Sequence, residues 1–265
     1  MSDAETLLIA DAGPVRTLTL NRPDVFNAFD DELTTAMQRA LKDAARDRGV
    51  RVLILTGAGR AFSSGQDLAS LKERFSADYV PEYKRDLDRR YNPIITAIAA
   101  MEKPVIAAVN GVAAGAGASL ALACDMRIAS EHASFIEAFV NVGLIPDSGS
   151  TWFLPRLVGS GLAFELCATG RKVGAEEAAR IGLVNRTVPA GELMEVAEAE
   201  AAKLASLPPR AIALTKRLLH RALSSDLAGQ LDAEAYAQDV LGRTKDHHEG
   251  MAAFLEKRAP EFTGS

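Results

Sequence analysis

Short runs of continuous apolar residues alternate, along most of this chain, with stretches whose apolar positions recur every three or four residues. Leu7–Ala10 and Val15–Leu20 flank a Gly13-Pro14 turn and predict a hairpin. Asp30 or Asp31 is placed to cap a helix whose apolar positions are Leu33, Ala36, Met37, Ala40, Leu41 and Ala44, one face at 3.6 residues per turn. Gly49 ends that helix, and Val50–Thr56 has the unbroken apolar character of a buried strand. Leu68–Arg74 reads as helical. The charged stretch Pro81–Arg90 leads toward an apolar helix over Ile94–Met101, with Pro93 expected to break or begin one of the two. Val105–Cys124 reads as strand, small-residue loop and helix, and a shorter version recurs at Met126–Ser130, Ser134–Phe139 and Thr151–Val158. This repeated ββα rhythm predicts an α/β core.

From Leu193 the period is helical throughout. Leu193–Leu204, Pro209–Leu223, Ala228–Leu241 and Lys245–Arg258 are separated by Pro208-Pro209, Ser224-Ser225 and Gly242, and no strand pattern follows Leu183–Val188. The expected organisation is a core over 1–192 and a helical region over 193–265. A tail that cannot close a sheet must pack on the core, on another subunit, or on both.

Composition narrows the classes. With 265 residues, 48% hydrophobic and 25% charged, the chain can bury a sizeable core. A net charge of −5 with Lys and Arg scattered argues against a nucleic-acid binder. The longest apolar stretch, Val105 to Cys124, is interrupted by Asn110 and several glycines, so no membrane span is expected. Asp3, Glu5 and Asp11 precede any basic cluster, which fits no targeting peptide and points to a cytoplasmic protein. Cys124 and Cys167 lie in apolar helical patterns without paired ligand spacing. They read as buried free thiols in a reducing compartment, and no metal site is expected.

Three segments carry candidate chemistry. Phe62-Ser63-Ser64-Gly65-Gln66-Asp67-Leu68 and the small-residue run from Asn110 to Leu120 each follow a predicted strand and lead into a helix. Such loops can aim free backbone N–H groups at one anion. Gly143-Leu144-Ile145-Pro146-Asp147 then sets a single carboxylate among apolar neighbours at the head of another helix. Two amide donors beside one Asp describe a site that stabilises an enolate while moving a proton.

Plainer readings stand beside these. Asp67 also reads as a helix cap, and Asp147 equally as the N-cap of the helix holding Trp152 and Leu154, with Ser148 and Ser150 as alternative caps. Against that, Phe139, Ile145 and Trp152 are placed to supply a dry environment, and burial raises a carboxylate toward a usable base. Ser64 lacks the strand–G-x-S-x-G context of a nucleophile, and His132, His220, His247 and His248 have no motif around them. Gly115-Ala116-Gly117 fails the dinucleotide fingerprint at Leu120. Glu137 is a second acid in an apolar run, on the same face as Phe135 and Phe139 by alternation, and reads as hydrogen-bonded structure rather than as a catalytic group.

Taken together, Leu20-Asn21-Arg22-Pro23-Asp24 with Asn27-Ala28, Phe62 to Asp67, Asn110-Gly111 with Gly115 to Gly117, Cys124-Asp125 and Gly143 to Asp147 resemble the crotonase (enoyl-CoA hydratase/isomerase) superfamily over nearly the whole chain. The resemblance implies a spiral of ββα units and a helical C-terminal region that builds homotrimers or dimers of trimers. It also implies an acyl-CoA thioester substrate, with coenzyme A as part of the substrate and no separate cofactor. By position it assigns the oxyanion hole to the amides of Gln66 and Ala116. The surrounding substrate-binding positions are Ser64, Gly65, Asp67, Gly115, Gly117 and Phe139. Lys257 matches a position that reaches a neighbouring subunit's CoA, or else is a solvated helix face. Tyr79, Tyr83, Tyr91 and the rest of the Phe75–Arg90 segment are candidates to line the acyl pocket.

Departures from the family pattern refine the subclass. Hydratases of this superfamily place glutamates where this chain has Ser119 and Phe139, and water addition needs one group to activate water and another to protonate C2. What remains is Asp147. Ile145-Pro146-Asp147 followed by small residues and Thr151-Trp152 is similar to the ring-1,2-epoxyphenylacetyl-CoA isomerases, which form oxepin-CoA and also move 3-enoyl double bonds into conjugation. A straight-chain Δ3,Δ2-enoyl-CoA isomerase or a hydratase is the nearer alternative. An RNA-binding or scaffolding homologue is the more distant one, and the dehalogenase branch fits poorly because Gln66 stands where an aromatic is needed.

Overall fold

The computed structural model describes residues 5–68 and 80–265. Strands β1 (Leu7–Ala12) and β2 (Val15–Leu20) form the antiparallel hairpin, with Gly13 at the left-handed position of its turn. Asp30 caps α1 (Asp31–Arg46) by accepting from the Leu33 amide at 2.8 Å. Leu33, Met37, Ala40, Leu41 and Ala44 are buried on one face as their spacing predicts, and Ala36 packs at its margin. Strands β3 (Val52–Gly57) and β4 (Ala61–Ser63) follow. The helix predicted over Leu68–Arg74 lies, beyond Leu68, outside the described residues, as do Phe75 and Tyr79.

Pro93 stands at the beginning of the apolar helix, one of the two expected places, although the chain is already wound before it. Backbone winds continuously from α2 (Tyr83–Asp86) through a π-turn at Leu87–Tyr91 into α3 (Asn92–Ala100), with Pro93 in the first turn of α3. Proline has no N–H for the ladder and its ring crowds the preceding turn; the wider π-turn accommodates both defects.

Next come β5 (Val105–Val109), β6 (Val112–Ala114), α4 (Ala116–Ala123), β7 (Met126–Ser130), β8 (Ser134–Ile136), a 3-10 turn at Ala138–Val142, α5 (Ser150–Val158) and α6 (Ser160–Thr169). Strand β9 (Val173–Gly174), α7 (Ala175–Arg180) and β10 (Arg186–Val188) lead to α8 (Leu193–Ala205), α9 (Pro209–Ala222), α10 (Leu227–Leu241) and α11 (Lys245–Glu256). One sheet has the order β1-β2-β3-β5-β7-β10, parallel beyond the hairpin; the other has the order β4-β6-β8-β9, with β9 antiparallel. Each unit therefore lays one strand on the large sheet, steps to the small sheet, and returns through helical or irregular chain. The step is tight: a methyl group on Gly111 would stand 2.1 Å from the Arg60 carbonyl oxygen.

Period-two alternation explains the unbroken apolar runs. Leu53, Leu55, Val105, Ala107 and Val109 face one core with α1, α3 and α4, whereas Val52, Ile54, Ile106 and Ala108 face a second core. Leu193, Ala197, Ala201 and Ala205 of α8 close that second core at i, i+4 spacing. The change to helix at Leu193 is thus not a structural boundary, because α8 is the cover of the large sheet; the helices that leave the sheet begin with α9. Lys216 on α9 is anchored to the Ile98 carbonyl (2.9 Å) and the Asp125 carboxylate (2.8 Å). Among the described residues, no helix is long and apolar enough to cross a membrane.

Candidate active site

Three loops leave the carboxyl ends of neighbouring strands of the small sheet: Ser64–Asp67 after β4, Gly115–Ala116 after β6 and Glu137 after β8. That edge is where parallel strands present loops for ligands. The first loop is held by chain that precedes α1. Phe29 donates to the Gly65 carbonyl (2.7 Å), and Asp67 donates back to the Phe29 carbonyl (3.0 Å). Parallel bridging of this kind uses the groups on either side of Gln66 and turns the Gln66 N–H the opposite way. That N–H has no acceptor among the described residues.

Ala116 opens α4. Its cap residue, Gly115, has φ 51° and ψ −126°, a region only glycine enters cheaply, and offers no side-chain cap. The Ala116 N–H is likewise without an acceptor among the described residues. The two amides are brought together by close backbone approach: a methyl on Gly65 would lie 3.1 Å from the Ala116 nitrogen and 2.7 Å from the Ala114 oxygen. A methyl on Gly117 would collide with the Ser63 carbonyl at 2.3 Å. Phe139 is buried, with its ring edge toward Gly115.

Asp147 joins this cluster through its backbone. Ser119 Oγ lies 3.1 Å from the Asp147 carbonyl oxygen and 3.2 Å from that of Gly115. Asp147 is no helix cap. Gly149 fills that position, neither Ser148 nor Ser150 caps by side chain, and the Asp147 carboxylate accepts from the Ser148 hydroxyl at 2.8 Å. Ser148, at φ 50°, is strained backbone beside the candidate base. Partial burial raises the Asp147 carboxyl above the usual range, and the Ser148 bond draws it partway back. The dry surroundings do not come from Ile145, which is 79% exposed, nor chiefly from Trp152, which is also exposed and packs on Phe153 and Arg156.

Glu137 is 5% exposed, hydrogen-bonded through Oε1 to Ser150 Oγ at 3.0 Å, and pushed up to about 7, chiefly by burial. Asp67 is buried and ion-paired with Arg22 at 3.0 Å, and Ser64 Oγ donates to the Val25 carbonyl at 3.3 Å. Lys257 is exposed at the left-handed end of α11, and no contact among the described residues links it to this site. Cys124 is buried and Cys167 only half-buried; both are free thiols. Among the described residues, no three His, Cys, Asp or Glu side chains gather as metal ligands.

Arg22 and Asn27 entered the sequence reading only as motif residues of the resemblance, with no role assigned. Arg22 pairs with both Asp30 and Asp67 at 3.0 Å, tying the cap of α1 to the first loop. Asn27 is fully buried at φ 56°; its amide donates to Ala58 and Ala61 carbonyls, while its oxygen accepts from the Arg22 amide. The signal was present: Asn is among the few non-glycine residues that enter the left-handed region readily.

Stacked ββα units with a helix-headed loop at the edge of the small sheet define a crotonase-type α/β enzyme. The chain belongs to the enoyl-CoA hydratase/isomerase family, whose profile, described as "Enoyl-CoA hydratase/isomerase", matches residues 11–265. It is 44% identical over 250 residues to the 1,2-epoxyphenylacetyl-CoA isomerase of Escherichia coli K12, covering 94% of this chain and 95% of that one. It is 46% identical over 252 residues to a Rhodobacter capsulatus protein named "Probable enoyl-CoA hydratase", covering 93% of each. The crystal structure of enoyl-CoA hydratase from Bacillus anthracis superposes with a TM-score of 0.92 at 37% identity, covering 98% of this chain and all of that one.

Proposed function

We propose that this enzyme isomerises acyl-CoA thioesters, with Asp147 as the base that removes a C2 proton and the Gln66 and Ala116 amides as the hole for the enolate oxygen. The observation that supports this reading is the arrangement itself: two main-chain donors without an acceptor among the described residues, drawn together by Gly65, with the half-buried Asp147 carboxylate acting on Tyr91, the partner of the Gln66 side chain. Each donor is worth about 3 kcal/mol when aimed at charge that develops in the transition state. Ser119 and Phe139 leave the two hydratase glutamate positions without a carboxylate, which favours isomerisation over water addition.

With a 3-enoyl-CoA, the C2–H electrons pass to the thioester oxygen and the proton to Asp147. Asp147 returns that proton at C4, leaving the double bond at C2=C3. With ring-1,2-epoxyphenylacetyl-CoA, the E. coli relative's named substrate class, the carbon–carbon bond shared by the epoxide and the six-membered ring breaks while both C–O bonds are kept, giving the seven-membered oxepin, and Asp147 removes the C2 proton. The proton returns to the rearranged skeleton, so composition is unchanged. One base on one face serves both reactions, and no step is routed through a metal, flavin or nicotinamide. Ser64, Gly65, Asp67, Gly115, Gly117 and Phe139 shape the site around the thioester. Lys257 serves the CoA of a neighbouring subunit in a cytoplasmic homotrimer or dimer of trimers. The apolar surface of α9 to α11, including Leu219, Leu231, Tyr236 and Phe254, supports such an assembly.

Asp147→Asn tests the reading: exchange of the C2 proton with solvent should vanish while acyl-CoA binding is retained, and persistent exchange removes Asp147 from the chemistry. Epoxyphenylacetyl-CoA, 3-hexenoyl-CoA and crotonyl-CoA compared as substrates separate ring-epoxide isomerase, straight-chain isomerase and hydratase.

A further inference from the structure

We propose that Glu137 is a positioning residue for Asp147, acting when protonated as the first donor of a one-way hydrogen-bond chain through Ser150 and Ser119 to the Asp147 carbonyl. This rests on Asp147 being the base. The chain is continuous in space. Glu137 Oε1 to Ser150 Oγ is 3.0 Å, Ser150 Oγ to Ser119 Oγ is 2.8 Å, and Ser119 Oγ to the Asp147 carbonyl oxygen is 3.1 Å. Both serines are buried at the heads of different helices, Ser119 on α4 and Ser150 on α5.

Counting protons gives the chain its direction. Each hydroxyl has one proton, and two oxygens 2.8 Å apart need a proton between them. If Glu137 donates to Ser150, then Ser150 donates to Ser119, and Ser119 is free to donate to Asp147. If Glu137 is ionised, Ser150 must donate to it and Ser119 to Ser150, which takes the Ser119 proton from the Asp147 carbonyl. Among the described residues that carbonyl then keeps only the Ser150 amide, at 3.0 Å, to hold the strained turn at Ser148.

Surroundings favour the protonated chain. Glu137 Oε2 has no partner among the described residues, and Glu137 lines a small, mostly apolar cavity with Leu122, Phe135, Leu154, Leu166, Val173 and Arg171. An unpaired carbonyl oxygen is tolerable there, and an unpaired carboxylate oxygen is far costlier. The charged or titratable groups facing it are Asp147, Cys167 on α6, and Arg171 before β9. Arg171 is turned to Glu165 (2.7 Å) and Glu177 (2.9 Å), so it gives Glu137 no counter-charge by direct pairing. Burial, opposed by the Ser150 bond and reinforced by the Asp147 charge, pushes the carboxyl up to about 7, where the chain can switch within the working range.

The test is the pH profile of 3-hexenoyl-CoA isomerisation. In the wild-type enzyme kcat should fall about tenfold between pH 6 and about pH 8.5, the equivalent of one hydrogen bond, with KM nearly constant. Ser119→Ala, which removes the last donor of the chain, should show the low rate at every pH. Glu137→Gln, whose amide donates to Ser150 at every pH, and Ser150→Ala, which leaves the Ser119 proton undiverted, should both keep the acid-side rate and lack the alkaline fall. An alkaline fall unchanged in Glu137→Gln, or a wild-type pH profile in Ser119→Ala, overturns the proposal. Should the Glu137 variant not fold, infrared difference spectra of Asp147→Asn between pH 5 and 9 must still show a buried carboxylic-acid band disappearing; its absence equally overturns it. Retained C2 exchange in Asp147→Asn instead removes the base assignment, so the two failures are told apart.

Discussion

The Tyr91 hydroxyl, at the end of the π-turn, donates to the side-chain oxygen of Gln66. Gln66 thus has its side chain fastened to the helix behind it while its backbone N–H remains unengaged. Burial raises the Tyr91 phenol well above its ordinary range, so this donor keeps its proton throughout the working pH. Tyr91→Phe should lower kcat severalfold, because the amide survives but its peptide is less firmly held. The pH profile should keep its shape, and steady-state rates across pH check both statements.

Glycines at the crossing of the two loops should be intolerant, and a glycine elsewhere should not. Gly65→Ala adds a methyl at φ 87° facing the Ala114 oxygen, and Gly117→Ala drives one into Ser63. Each should cost about 1–3 kcal/mol of stability and most of the activity. Gly161, within α6, has open space around it and ordinary φ, so Gly161→Ala should be neutral or stabilise by up to about 1 kcal/mol. Thermal melts and isomerase rates on the three variants decide the matter.

Arg22 should be needed for the geometry of the first loop without touching substrate. Arg22→Ala leaves Asp30 and the buried Asp67 without their shared guanidinium, a loss of about 2 kcal/mol for a partly buried charge-assisted pair. Lys cannot span both carboxylates with a planar fork, so Arg22→Lys should recover little. Equal stability of the Lys variant and wild type in urea melts counts against this role.

Glu137 ties stability to pH. Its carboxyl is raised from 4.5 to about 7 in the folded protein, so the folded chain binds that proton more tightly than the unfolded one. Its stabilising contribution is complete below about pH 4.5 and is lost as pH rises through about 7. Glu137→Gln, which cannot ionise, should exceed wild type by about 3 kcal/mol at pH 8 and match it near pH 4.5. Asp147 shifts in the same direction, so Asp147→Asn should also raise the melting temperature while abolishing exchange. A pH-independent difference between Glu137→Gln and wild type contradicts the linkage.

Local pattern was enough for many of the elements, though not for α6 or α7. Hydrophobic period marks β3 and β5 as buried strands and α1 as a one-faced helix, because those signals depend on nearest neighbours and on which face meets water. Family motifs pointed to Gln66, Ala116 and Asp147, and the chain's membership of the enoyl-CoA hydratase/isomerase family could be read from residue order alone. Only tertiary structure decided the rest. Ser119, 28 residues from Asp147 in sequence, meets its carbonyl only because α4 and the head of α5 converge at the edge of the small sheet. That convergence also makes Glu137 a buried acid in a serine chain, while packing elsewhere makes Arg22 a clamp on Asp30 and Asp67 and α8 a wall of the core. A sequence encodes which faces are apolar; which polar atoms those faces then trap together depends on how the layers pack.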